Sequence, residues 1–153
     1  MEITEVRVKL LDGRDEKLHA FCSVTFDNQF VVRDLKIISG AKGTFIAMPS
    51  RKLSDRCPRC STKNHLRAKY CSECGIRLAP NRAGLDERGR ARLHADIAHP
   101  INQQCRQMVQ DRVIREFQEE FARAQQPGYQ PRRYDDFEPF TDDEFPQQGF
   151  EAN

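Results

Sequence analysis

Val6, Val8 and Leu10 alternate with Glu5, Arg7 and Lys9, the period-two pattern of a strand buried on one side. Asp12-Gly13 supplies a turn, after which Ala20, Cys22, Val24 and Phe26 fall on one face and His19, Phe21, Ser23 and Thr25 on the other. Asp27-Asn28 suits a tight hairpin, since both residue types tolerate positive φ. A third strand runs from Phe30 to Ile38, rich in β-branched residues. Gly40-Ala41-Lys42-Gly43 turns the chain again, and a fourth strand from Thr44 to Met48 ends at Pro49. Connections this short favour antiparallel neighbours.

From Ile101 the period changes. Ile101, Cys105, Met108, Val109, Val113, Phe117 and Phe121 recur at three-to-four spacing, which paints one stripe on a helix. Pro100 suits its first turn and Gln126-Pro127-Gly128 stops it. A sheet with one face to cover and a helix with one apolar stripe predict an α+β domain: a small antiparallel sheet of about four to five strands packed by a C-terminal helix. Cys22 and Cys105 lie on those apolar faces and read as small buried hydrophobes. Beyond Pro127 the composition shifts to Pro, Gln, Gly, Asp and Glu with isolated aromatics, and a disordered acidic tail is expected there.

The chain has 153 residues, 38% apolar and 31% charged, enough for one modest domain with a satellite and a tail. No basic segment followed by an apolar core marks an export signal, and no apolar run is long enough to cross a bilayer. A cytoplasmic protein without a membrane partner is expected, and six cysteines in such a chain point to metal rather than disulfides.

Four of those cysteines are regularly spaced. Cys57-Pro58-Arg59-Cys60 and Cys71-Ser72-Glu73-Cys74 are separated by ten residues. Two residues between paired cysteines let one tight turn aim both thiolates at a single ion. Pro58 presets φ in the first knuckle, and Gly75 permits the unusual backbone after the second. Four sulfurs close a tetrahedron and leave no open coordination position, so the site reads as one structural Zn2+, favoured over a redox dithiol, two disulfides or an Fe–S cluster. The stretch resembles a short zinc ribbon, notably in Lys69-Tyr70-Cys71-Ser72-Glu73-Cys74-Gly75. The segment is too short to fold by apolar burial, and metal binding would supply its folding energy, about 10 kcal/mol. Such ribbons bind nucleic acids or proteins.

Charge is separated along the chain. Between Arg51 and Leu93 there are 12 Lys or Arg against 4 Asp or Glu, whereas from Ala124 onward there are 2 basic residues against 7 acidic. The basic block (Arg51, Lys52, Arg56, Arg59, Lys63, Arg67, Lys69, Arg77, Arg82, Arg88, Arg90 and Arg92) suits a polyanion, because Lys and Arg neutralise phosphates and release counterions. His65 and Tyr70 are candidate base-stacking residues, with packing beside the metal site the favoured reading for Tyr70. His94, Asp96 and His99 invite comparison with a second metal site or an acid–base pair. No nucleophile or paired carboxylate accompanies them, so a short strand or turn entering the helix is favoured, with His99 and Asn102 making local hydrogen bonds, and no enzyme activity is expected.

Taken together, these segments resemble the SpoVG family, the stage V sporulation or septation protein G regulators of bacteria. The resemblance is carried by Met1-Glu2-Ile3-Thr4-Glu5-Val6-Arg7, Val24-Thr25-Phe26-Asp27-Asn28, Phe30-Val31-Val32-Arg33-Asp34-Leu35-Lys36, Phe45-Ile46-Ala47-Met48-Pro49-Ser50-Arg51-Lys52 and Asp96-Ile97-Ala98-His99-Pro100-Ile101-Asn102. It implies a family-like β-meander over residues 1–52, an inserted zinc ribbon and basic linker over 53–92, a return strand and helix over 93–126, and an added tail over 127–153. It also implies a homodimer that binds DNA or RNA and influences septation, sporulation and gene expression, with contacts near Arg51, Lys52 and the His99–Arg106 segment. The expected nucleic-acid-binding residues are therefore Arg51, Lys52, Arg56, Arg59, Lys63, Arg67, Lys69, Arg88, Arg90, Arg92 and Arg106. The competing expectation is a protein-interaction adaptor that uses the ribbon or the acidic tail to hold a protein partner, without direct nucleic-acid binding.

Overall fold

Strands β1 (Ile3–Leu10), β2 (Leu18–Phe26), β3 (Phe30–Gly40) and β4 (Gly43–Ala47) form one antiparallel sheet in the order β1-β2-β3-β4. The structure is a computed structural model and describes residues 1–13 and 16–131. The expected hairpin at Asp27-Asn28 is present: both residues take positive φ (51° and 53°), and the Gln29 amide donates to the Phe26 carbonyl (2.9 Å). That is type I′ geometry, whose twist matches the flanking strands. The next turn closes with Gly40 opposite Gly43, and Gly43 at φ 111° takes a backbone that other residues resist.

β3 lacks a clean alternation for a structural reason. Its register against β2 shifts between Cys22 and Val24, and Asp34 sits at φ 62° in the resulting bulge. The bulge changes the parity of the strand. Val32 packs against the core from one side of it, and Leu35 and Ile37 are buried on the other. The core is Val6, Val8, Ala20, Cys22, Val24, Leu35, Ile37 and Ile46, closed by Val109 and Val113 from the helix.

Helix α1 (Gln103–Ala124) lies across that face. Asn102 is its N-cap, its side-chain oxygen accepting from the Cys105 amide (2.8 Å). Pro100 thus lies outside the helix rather than in its first turn. Ile101 is 90% exposed and does not join the buried stripe. At the far end Phe121 is also largely exposed, and Glu120 is the buried residue. Tyr129 folds back over this turn, its hydroxyl donating to Glu120, while Arg123 pairs with the same carboxylate at 3.1 Å. Cys22 is fully buried as expected, whereas Cys105 is only half-buried at the core edge. The expected disorder of the tail falls, beyond residue 131, outside the described residues.

Four further short strands are present among the described residues. β5 (Ser50–Lys52), β6 (Ser54–Arg56), β7 (Lys63–His65) and β8 (His94–Asp96) pair as β5-β8 and β6-β7, both antiparallel. β5 and β8 make a stalk, with Ser50 opposite Asp96 and Lys52 opposite His94. The Leu53 amide extends it by donating to the Leu93 carbonyl (2.8 Å). The cysteine-bearing segment leaves and returns through this stalk.

Candidate metal centre and basic surface

The two Cys-x-x-Cys turns are built alike. In the first, the Cys57 amide donates to Thr62 (2.8 Å) and the Ser61 amide to the Cys57 carbonyl (2.9 Å). In the second, the Cys71 amide donates to Ile76 (2.9 Å) and the Gly75 amide to the Cys71 carbonyl (3.1 Å). Each turn needs a left-handed residue just after its second cysteine. Gly75 fills that place at φ 74°, and Ser61 does so at φ 64°. The first of these was readable from glycine. The second was readable only by laying one knuckle over the other.

The four thiols meet. Cys57 Sγ lies 3.7 Å from Cys74 Sγ, Cys60 Sγ lies 3.5 Å from Cys71 Sγ, and all four sulfurs fall within 4.8 Å of one another. A disulfide needs sulfurs about 2.05 Å apart, so these distances describe thiols rather than bonded pairs. Among the described residues this is the one His, Cys, Asp or Glu cluster with the shape to hold a metal ion, and His94, Asp96 and His99 form none. His94 and Asp96 lie in the stalk, and His99 lies after it beside an apolar hollow.

Hydrogen-bond donors reach the sulfurs. The Arg59 amide points at Cys57 Sγ (3.4 Å), and the buried Asn64 donates its Nδ2 to Cys71 Sγ (3.4 Å). Asn64 is itself held, its Oδ1 accepting from the Ser72 amide at 2.9 Å. Amides of the Cys74 turn, then Asn64, bring the Cys71 thiol down to about 6. Thr62 lowers Cys60 in the same way. Cys74 is pushed up to about 11: the Ile76 amide pulls it down, but burial and the three neighbouring sulfurs outweigh that pull. Four thiols so close cannot all ionise without a cation among them. Nothing in the sequence marked Asn64, whose role depends on β7 carrying it beneath the second knuckle.

Arg82 departs from its place in the basic block. Its side chain is only 14% exposed and bonds Asp55 Oδ2 (2.8 Å) and the carbonyls of His65, Ala68 and Ala79. It is a rivet between the two knuckles and the linker. Arg90 is also engaged, with Asp86 at 2.9 Å, and Arg56 donates to the Ser61 carbonyl. The rest are open: Arg51, Lys52, Arg59, Lys63, Arg67, Lys69 and Arg77 are exposed, and among the described residues none of them pairs with a carboxylate. Arg88 and Arg92 are exposed on the linker, and Arg106 is exposed on the first turn of α1, away from the ribbon in sequence. Tyr70, expected to pack beside the metal site, is instead 60% exposed.

No helix is long and apolar enough to cross a membrane among the described residues. Comparison with known proteins places these observations. A family model described as SpoVG matches residues 1–119. A septation protein SpoVG of Finegoldia magna is 34% identical over 131 residues, covering 86% of this chain and 87% of the relative. Proteins of the same description from Clostridium kluyveri and a Thermoanaerobacter species are 36% and 37% identical over 118 residues, spanning 77% of this chain and 84% and 88% of theirs. With the four-stranded sheet, the helix packed on it and this extent of match, the chain belongs to the SpoVG family.

Proposed function

We propose that the chain is a nucleic-acid-binding regulator of the septation-protein type, acting in the bacterial cytoplasm by binding rather than catalysis, with one structural zinc ion shaping its basic arm. The observation that carries this reading is the set of open cations on the stalk and knuckles, a surface suited to phosphates. Zinc is supported by dimensions. Bonds of about 2.3 Å from a tetrahedral zinc to sulfur give sulfur–sulfur edges of about 3.8 Å, close to the 3.5 and 3.7 Å observed. Four thiolates fill the coordination sphere, so the metal holds shape and takes no substrate.

The same proposal includes a homodimer. An apolar hollow of about 440 Å³ is lined by Met1, Phe30, Met48, Pro100, Cys105 and Val109, and Ile97 and Ile101, which flank its lining residues Ala98–Pro100 in sequence, are exposed. Apolar surface of this kind is suited to a second copy. Light scattering on the purified protein tests it, and a monomer at micromolar concentration overturns it.

Anisotropy titrations of labelled DNA and RNA oligonucleotides, with and without chelator, test the main reading. Binding that weakens steeply with salt, and further on metal removal, is expected. Failure to bind any oligonucleotide at low salt, with protein partners captured after nuclease treatment, would replace it with the adaptor reading.

A further inference from the structure

Two hollows at the base of the ribbon share Leu66, Arg67, Ala91 and Leu93, so they adjoin, and the two together make up a groove. One part, of about 430 Å³, lies between the Leu66–Tyr70 segment and the Arg77–Ala83 segment. The other, of about 340 Å³, runs down to Lys52 and His94 on the stalk. Leu66, Leu78 and Leu93 give the groove apolar walls. Lys52, Arg67, Lys69 and Arg77 are exposed around it, and no Asp or Glu lines either part. Arg82 also reaches the groove, but Asp55 already neutralises it.

Tyr70 completes the arrangement. It bridges to Arg77 in an antiparallel pairing, and the Leu78 amide bonds the Lys69 carbonyl (2.8 Å) beside it. Directly opposed residues in such a pair project to the same side, so the Tyr70 ring and the Arg77 guanidinium stand on one face. An exposed ring, a neighbouring exposed cation and an apolar channel rimmed with positive charge are a mixed surface. A duplex offers phosphates outward and keeps its base faces stacked inside, so it would use the rim and leave the ring and channel bare. A single strand presents both parts at once.

Resting on the nucleic-acid reading above, we propose that this groove holds a single-stranded segment of nucleic acid, with a base stacked on Tyr70 and flanking phosphates on Arg67, Lys69, Arg77 and Lys52. The sugar is not specified by this chemistry, so DNA and RNA strands are both candidates. An acidic protein segment would satisfy the cations and leave the ring unused.

The test uses the full-length, zinc-loaded protein and anisotropy at low salt. Its probes are fluorescein-labelled 12-mers of DNA and RNA, the same sequences as duplexes, and an acidic peptide. The single strands are expected to bind at least tenfold tighter than the duplexes. Tyr70→Leu should weaken single-strand binding about tenfold, leave duplex binding unchanged, and be rescued by Tyr70→Phe. The exposure of Tyr70 makes loss of fold an unsuitable explanation, and an unchanged metal content checks this. Replacing Arg67 and Lys69 by Gln should lower the dependence of single-strand affinity on salt by roughly the share of two phosphates. Equal affinity for strand and duplex, or Tyr70→Leu binding the single strand as the parent does, overturns the groove while leaving the nucleic-acid reading standing. Tighter capture of the acidic peptide than of any oligonucleotide also overturns it. Absence of all oligonucleotide binding removes both.

Discussion

Replacing Arg82 by Met should loosen the ribbon and spare the core. The guanidinium makes four polar contacts, and their surroundings decide how much each contributes. The carbonyls of Ala79 and His65 are bonded at the exposed edge, where water replaces the lost donor at small cost. The Ala68 carbonyl and the Asp55 pair are partly buried. Losing a charge-assisted bond in such a place costs about 1.5 kcal/mol, taken at the low end because Asp55 is 36% exposed. Two of them give about 3 kcal/mol. Metal binding and ribbon folding are one equilibrium, so the loss appears as roughly 100-fold weaker zinc affinity. Asp55→Asn keeps an acceptor and loses the charge, and should weaken zinc by about tenfold. Competition against a chromogenic chelator at fixed pH reads both numbers, and circular dichroism reads the thermal unfolding of the core. Zinc affinity within threefold of the parent would show that the rivet is ornamental. A core transition lowered as much as the ribbon would show that the two do not fold independently, and either result refutes the reasoning.

Three further outcomes follow from the same geometry. Leu35→Ala removes a side chain that is 2% exposed at the centre of the sheet face; about 3 kcal/mol of core stability should be lost in urea unfolding, with zinc content unchanged. Ser61→Gly relieves a serine held at φ 64° after the first knuckle and should tighten zinc modestly, corresponding to about 1 kcal/mol; weaker zinc would mean the serine side chain matters more than its backbone. Burial pushes the Cys22 thiol up to about 12. Iodoacetamide at pH 8 should therefore label the four ribbon cysteines after chelation and leave Cys22 untouched until urea is added, as read by peptide mass spectrometry; early labelling of Cys22 would contradict the packed core.

Much of the fold was legible because its signals are local. Alternation along β1 and β2, the Asp27-Asn28 turn and the helical stripe need only neighbouring residues to be read. The misreadings have long-range causes. Ile101 fits the helical period, but Asn102 caps the helix one residue later, and a side chain ahead of the cap projects away from the stripe. Glu120 is polar by type and buried by circumstance, because Tyr129 and Arg123 close over it. In the four-cysteine cluster the members were spelled out by spacing. Asn64 and Arg82 were not, since each acts on residues brought near it only when the ribbon closes. Composition counted Arg82 in the basic block, whereas in the structure its charge is paired with Asp55 inside the module.

The stalk explains how the four-stranded sheet and its helix can carry the four-cysteine segment. Lys52 and His94 face each other across β5 and β8, and Leu53 and Leu93 continue the ladder. Everything from Ser54 to Arg92 therefore enters and leaves through adjacent strand positions, and its ends are already held together by the hairpin. A segment tied this way imposes little extra ordering on the core, since loop length enters closure entropy only logarithmically. The consequence is directional. Unfolding the ribbon should leave the four strands and α1 intact, whereas unfolding the core removes the stalk that aims the ribbon. Zinc would then govern the shape of the basic groove without governing the stability of the sheet. Chelation should abolish groove-dependent binding while the far-ultraviolet helix signal persists, and a simultaneous loss of both would place the metal at the centre of the whole fold instead.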